Sequence, residues 1–320
     1  MRWTISLLVI LSEIVFSASL LANAETPQEL LDAGRVDQVR EILEQQIRTA
    51  PTAEAYNLLC RADFELDAWD EGIPACEKAV SLAPNNGLYH LWLGRVYGEK
   101  ADRVNFIKAA GLAGKVHREF ERAVALMPDS WEARTDLAEF YLEAPGIVGG
   151  GEDKARLQAD ALLKLNPGMA HWVLARIAQK KNNWEEAERE YRAAIEVSHG
   201  GARAWVNLAG FYRHVNRYDD MVRALRTMEA QPLDRPAALM DGADLLYRTD
   251  RDLPMAIGLV RRYLGNTASE EWPAFKAHTL LGELLEKQGD RKGAMEEYKT
   301  ALGMAREFEL AQEGLKRTQG

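Results

Sequence analysis

The chain holds 320 residues, 47% hydrophobic and 28% charged, an ordinary balance for a protein with a buried core. Its formal net charge of −9 argues against a non-specific nucleic-acid binder, which needs clustered Lys and Arg to neutralise phosphates. It reads instead as a solvated acidic surface that favours solubility.

Residues 1–24 have the layout of a secretory signal peptide. Arg2 supplies a positive charge, Ile5 to Leu21 is mostly apolar, and Ala22-Asn23-Ala24 is an A-x-A cleavage pattern before Glu25-Thr26-Pro27. Glu13 interrupts the apolar run, and a carboxylate near mid-bilayer costs about 2.5–3.5 kcal/mol, which weighs against a permanent anchor. No Cys follows the run, as a lipoprotein anchor would require, and no other stretch reaches the ~18 apolar residues of a membrane span. The expectation is a chain exported to a bacterial periplasm or beyond, beginning near Glu25.

From Ala53 to Asn86 the sequence spells one 34-residue unit, AEAYNLLCRADFELDAWDEGIPACEKAVSLAPNN: an apolar-periodic helix, a polar turn, a second helix starting near Asp70-Glu71-Gly72, and a closing Pro84. Imperfect copies follow. The small or apolar residue near the start of each second helix falls at Gly72, Val116, Ala155, Ala187, Met221, Ala256 and Ala294. Two helices per unit at a period near 34 is the pattern of a helical solenoid, whose units bury a continuous core between neighbours. Cys60 and Cys76 sit on the two helices of the first full unit. In an antiparallel pair folded about residues 66–70 they face each other, so either a disulfide or two buried free thiols fits.

The copies resemble tetratricopeptide repeats. The resemblance is carried by Trp205, Leu208, Ala209 and Tyr212 in one copy, by Leu281, Gly282, Ala294, Tyr298 and Ala301 in the last, and by Asn183-Trp184-Glu185-Glu186-Ala187, Tyr191 and Ala194 in another. It implies an all-α, right-handed superhelical solenoid of antiparallel helix pairs over 25–320. Units are expected at about 28–52 (shortened), 53–86, 87–130, 131–167, 168–201, 202–236, 237–274 and 275–306, with a capping helix over 307–320. Specificity is high for fold and low for function.

Two insertions break the period: about ten residues around Gly98–Lys115 and about three around Ala144–Ala155. Both are expected as loops between the helices of their units, where solenoids often carry distinguishing contacts. Gly149-Gly150-Gly151 lacks the spacing of a phosphate-binding loop and reads as a turn before Glu152-Asp153. In the resembled family the first helix of each unit lines a concave groove, which here selects Asn57, Arg61, Arg95, Trp172, Arg176 and Arg213 as groove candidates. Asn57 with Arg61 and Arg95 resembles part of a clamp for a peptide carboxylate, a group that an arginine fork matches. The alternative is a set of arginines lying over apolar neighbours with their heads in water.

Nothing in the sequence points to catalysis, a metal or a cofactor. His90, His117, His171, His199, His214 and His278 are scattered, and H-E-x-x-H, C-x-x-C and G-x-S-x-G are absent. The preferred reading is a non-catalytic, exported scaffold that binds a protein or peptide. An accessory subunit of an envelope enzyme or polysaccharide machine is second, and an enzyme using the 144–155 loop is third.

Overall fold

A computed structural model describes residues 25–320 apart from 232, 234, 267 and 268. The proposed signal segment, 1–24, therefore lies outside the described residues. The described residues form seventeen α-helices and one short 3-10 turn, and their only β-type pairing is an isolated bridge between Ser269 and Trp272. In order the helices are α1 (27–32), α2 (36–49), α3 (53–65), α4 (69–82), α5 (87–102), α6 (106–126), α7 (131–143), α8 (152–165), α9 (167–180), α10 (184–197), α11 (202–214), α12 (218–229), α13 (237–249), α14 (253–264), α15 (274–288), α16 (291–304) and α17 (309–319).

Local chemistry explains the punctuation. Thr52, Asn86, Ser130 and Asn166 each place a side-chain oxygen on a free backbone N–H at the start of α3, α5, α7 and α9. Between paired helices the chain reverses through left-handed residues: Gly34, Asp67, Asn182, Asn216, Asp250 with Asp252, and Gly289 all have positive φ. These are the residue types that tolerate that conformation.

The two inserted units depart from this short turn, the first having no positive-φ residue between its helices and the second a longer loop. In the first, the insertion is not a loop. It lengthens α5 to sixteen residues and α6 to twenty-one, leaving only 103–105 between them. Val116 is therefore mid-helix, although it is buried like its counterparts in the other units. The physical reason lies in composition: 98–115 is rich in Ala, Lys and other good helix formers and has no proline. The second insertion is a true loop, with a 3-10 turn at Gly146–Val148.

The array also turns far enough to bring its first and last units together. One continuous apolar cluster joins Leu30, Leu31, Val36 and Val39 to Phe275, Tyr298 and Phe308. Gly34 lies against the backbone of Pro273 and Ala274, and a Cβ there would sit 2.6 Å from the Ala274 nitrogen. A second cluster occupies the arc between Cys60 and Ile177, and Leu59 and Trp172 pack against both. The edge of the last unit is thus covered by α2 as well as by the expected cap α17. Contacts in an open solenoid would stay between sequence neighbours. Here Arg61 reaches Glu270 and Arg40 reaches Glu307.

Candidate functional site

Inside the turn lies a cavity of about 1040 Å³, bounded by α3, α5, α6 and α7 on one side and by residues 235–241 and 270–276 on the other. Its size is at the upper end of ordinary ligand clefts. One helical face of α5 (Trp92, Arg95, Glu99, Asp102) and one of α7 (Asp136, Glu139, Phe140, Glu143) supply the inner wall. Those positions recur at three- and four-residue spacing, as one face of a helix must.

This phase corrects the sequence reading at several positions. Asn57 is 2% exposed and Arg61 8%, so neither presents a free groove surface. The arginines of the suggested clamp are held by the protein's own carboxylates. Arg61 grips Glu270 with two nitrogens, Nε at 2.6 Å. Arg95 donates to Asp136 at 2.7 Å, and Arg176 pairs with Glu143 at 2.7 Å and Glu139 at 3.6 Å. Arg61 and Arg95 also approach the Trp92 ring, at 5.3 and 4.9 Å, and Arg176 lies 5.3 Å from the centre of Trp172. Arg213 is exposed and acts on Asp244 through its charge. The six candidates therefore do not assemble into one cationic pocket.

The cavity is acidic instead. Nine carboxylates and three cationic side chains line it, and adding Arg61, Arg176 and Arg203, which pair with lining carboxylates, still leaves acid in excess. Burial pushes the Asp136, Glu139 and Glu99 carboxyls above their ordinary range, with neighbouring Arg95, Arg176 and Arg103 respectively opposing the shift. Glu65, 4% exposed, is driven to about 7 by burial, against the pull of Lys276.

Sequence reasoning missed the wall built by the connection between α14 and α15. Tyr263 is fully buried and anchors it: its hydroxyl donates to the Trp272 carbonyl at 2.5 Å and accepts from the Ser269 nitrogen at 2.8 Å. That anchoring presents Glu270 to Arg61, Glu271 to Arg203 and Arg235, and the Trp272 indole to Asp241 at 2.7 Å. The available signal was the 38-residue step from Ala256 to Ala294, four longer than the period.

The glycine run has a steric explanation. Gly149 and Gly151 have φ of +106° and +157°, and a Cβ on Gly150 would lie 1.7 Å from the Ala144 carbonyl oxygen. The nitrogens of Gly149, Gly150 and Gly151 donate to Gly146, Pro145 and Tyr141, so they are not offered to an anion. Cys60 and Cys76 are joined, with Cα atoms 5.2 Å apart. Among the described residues no group of three or more His, Cys, Asp or Glu side chains is placed to hold a metal ion, and no helix is long and apolar enough to cross a membrane.

Family models described as tetratricopeptide repeat match residues 173–226 and 275–308. Over those residues the chain carries tetratricopeptide repeats. No curated protein sequence matches it. Among solved structures, yeast Tom70 superposes with a TM-score of 0.52 at 15% identity over 89% of this chain. The match spans 58% of the length of Tom70, and at that identity it speaks to fold alone. A tetratricopeptide protein of the thermophile Thermus thermophilus covers 56% of this chain and 91% of its own at 18% identity, TM-score 0.46. One from Parabacteroides merdae covers 88% and 100% at 17% identity, TM-score 0.40. Tetratricopeptide arrays serve generally as scaffolds for protein–protein interaction and are typically non-catalytic, and the solenoid described here has that form.

Proposed function

We propose that this tetratricopeptide protein is an exported, non-catalytic scaffold that holds a segment of a partner protein in the cavity enclosed by its turn. The observation that carries the reading is convergence. Among the described residues, the two units that carry the insertions, α5–α6 and α7–α8, both line that cavity. They do so through Phe106, Ala109 and Ala113 and through Pro145, Ile147 and Val148. Repeat positions elsewhere are occupied by packing. Export is supported by the layout of residues 1–24 and by the Cys60–Cys76 bridge, since disulfides persist in oxidising compartments.

Site-specific crosslinking tests the binding reading. A photo-crosslinking residue placed at Ala113 in the cavity should capture a partner from envelope extract. The same residue at Leu157, exposed on α8, should not. Capture from Leu157 alone would move the interface to the outer surface. Export is checked by N-terminal sequencing of protein recovered from its native source, where Glu25 is expected as the first residue.

A further inference from the structure

The mouth of the cavity combines two features that ordinary folding does not favour. The first is apolar. Phe106, Ile107 and Ile147 are 80%, 83% and 93% exposed, and Phe106 and Ile147 both line the cavity. Single exposed apolar residues need no explanation, but several large ones grouped at the rim of a cleft mark an interaction surface.

The second is electrostatic. Among the described residues, seven of the nine lining carboxylates lie within ion-pairing distance of a cation, from Glu65 with Lys276 to Glu271 with Arg235. Glu99 and Asp102 do not. They stand three residues apart on α5, where like charges repel, and in its last turn, where the helix carbonyls already carry partial negative charge. The cations beside them in sequence are engaged elsewhere. Lys100 pairs with Asp70 at 2.6 Å, and Arg103 lies 4.9 Å from the centre of the Trp69 ring. Arg103 and Lys276 act on Glu99 only through their fields, and Lys276 pairs with Glu65 and Asp67. Phe106 follows Asp102 by four residues, so the unpaired acids and the exposed apolar rim share the α5–α6 corner.

We propose that the occupant of this corner is a cationic segment of a partner protein carrying a large aliphatic or aromatic side chain, whose Lys or Arg meets Glu99 and Asp102 while its apolar side chain covers Phe106 and Ile147. The assignment rests on the scaffold reading above and reverses the chemistry of a carboxylate clamp. An acidic ligand would meet uncompensated repulsion here, because the clamp arginines already hold Glu270, Asp136 and Glu143.

The test uses the disulfide-bonded chain from Glu25 onward and three short labelled peptides, alternating Lys–Leu, Glu–Leu and Lys–Ser, with binding read by fluorescence anisotropy. The Lys–Leu peptide is expected to bind and the other two to bind at least about tenfold more weakly. The double variant Glu99→Gln/Asp102→Asn, and separately Ile147→Ser, should each weaken Lys–Leu binding by a similar factor with unchanged circular dichroism, all three positions being exposed. A control, Glu185→Gln/Glu196→Gln, removes the same charge from the outer helix α10 and should change nothing. Preference for the Glu–Leu peptide, undiminished Lys–Ser binding, equal loss in the control, or no binding at all would overturn the proposal. If crosslinking from Ala113 captures a partner whose binding ignores Glu99, Asp102 and Ile147, the scaffold reading survives and this one fails.

Discussion

Asp63 shows how single residues carry the closure of the array. It is 3% exposed and lies 3.2 Å from the Arg40 Nε, while Arg40 also holds Glu307 at 2.8 Å. Burial outweighs the arginine and pushes the Asp63 carboxyl to about 7, where Glu65 also titrates. Both folded values are raised above the ordinary carboxylate range. The stability these groups contribute is therefore fully present below that range and is lost as pH rises through about 7. Half-buried carboxylates shifted the other way by their arginine partners, Glu188, Asp220 and Glu286, lose their contribution as pH falls from the ordinary carboxylate range to their lower folded values. Thermal stability should therefore be higher at mildly acid pH than above pH ~7, and Asp63→Asn should flatten that decline in calorimetric scans. At Gly150 the constraint is steric: Gly150→Ala should cost about 1–3 kcal/mol in denaturant titration, because its Cβ meets a backbone carbonyl that cannot move aside freely. Neither effect was legible in the sequence. Asp63 reads there as one more polar helix residue, and its partners lie far away along the chain.

Helices and their pairings were far more legible. The apolar period, the capping Thr52, Asn86 and Ser130, and the turn residues Gly34 and Gly289 are local signals, and local hydrogen bonding acts on them directly. The facing of Cys60 and Cys76 followed from the same local geometry. Their loop spans sixteen positions, so reduction, or Cys60→Ser with Cys76→Ser, should lower stability by about 3 kcal/mol in the chain-entropy account, measured by chemical unfolding with and without reductant. The insertion at 98–115 shows the limit. Extra residues in a repeat say only that something is added, and helix propensity decided that the addition extends α5 and α6. A further regularity emerged only on folding. His90, His171 and His278 of first helices meet Glu119, Glu190 and Glu297 of their second helices at 2.6, 2.7 and 2.6 Å, tying three units in the same way.

At the scale of the molecule the decisive feature is contact between the first and last units. It couples units far apart in sequence, where an open solenoid would be stabilised neighbour by neighbour, and unfolding is expected to be cooperative across both ends. Gly34→Ala tests this, since the residue has φ +72° and its added Cβ would press on the backbone at Ala274. A loss of about 1–3 kcal/mol is expected, with hydrogen exchange accelerating in α2 and α15 together. Deleting residues 25–52 should expose the apolar surface around Phe275 and Phe308 and loosen the connection that carries Glu270, seen as a larger radius of gyration in solution scattering. A deletion that leaves the dimensions unchanged would show that closure is not what holds the turn.

The sequence by itself determined that this protein is a helical repeat, where its helices start and stop outside the 98–115 insertion, and which units deviate. Those properties follow from period, caps and turn residues, whose interactions span a few positions. Only the tertiary structure decided that Arg61, Arg95 and Arg176 face their own carboxylates, that Glu270 lies against α3, and that Phe106 and Ile147 share a cavity with unpaired Glu99 and Asp102. Such pairings depend on the cumulative rotation from unit to unit. A small angle at each interface, set by side-chain packing, adds up across the array and fixes which distant surfaces meet.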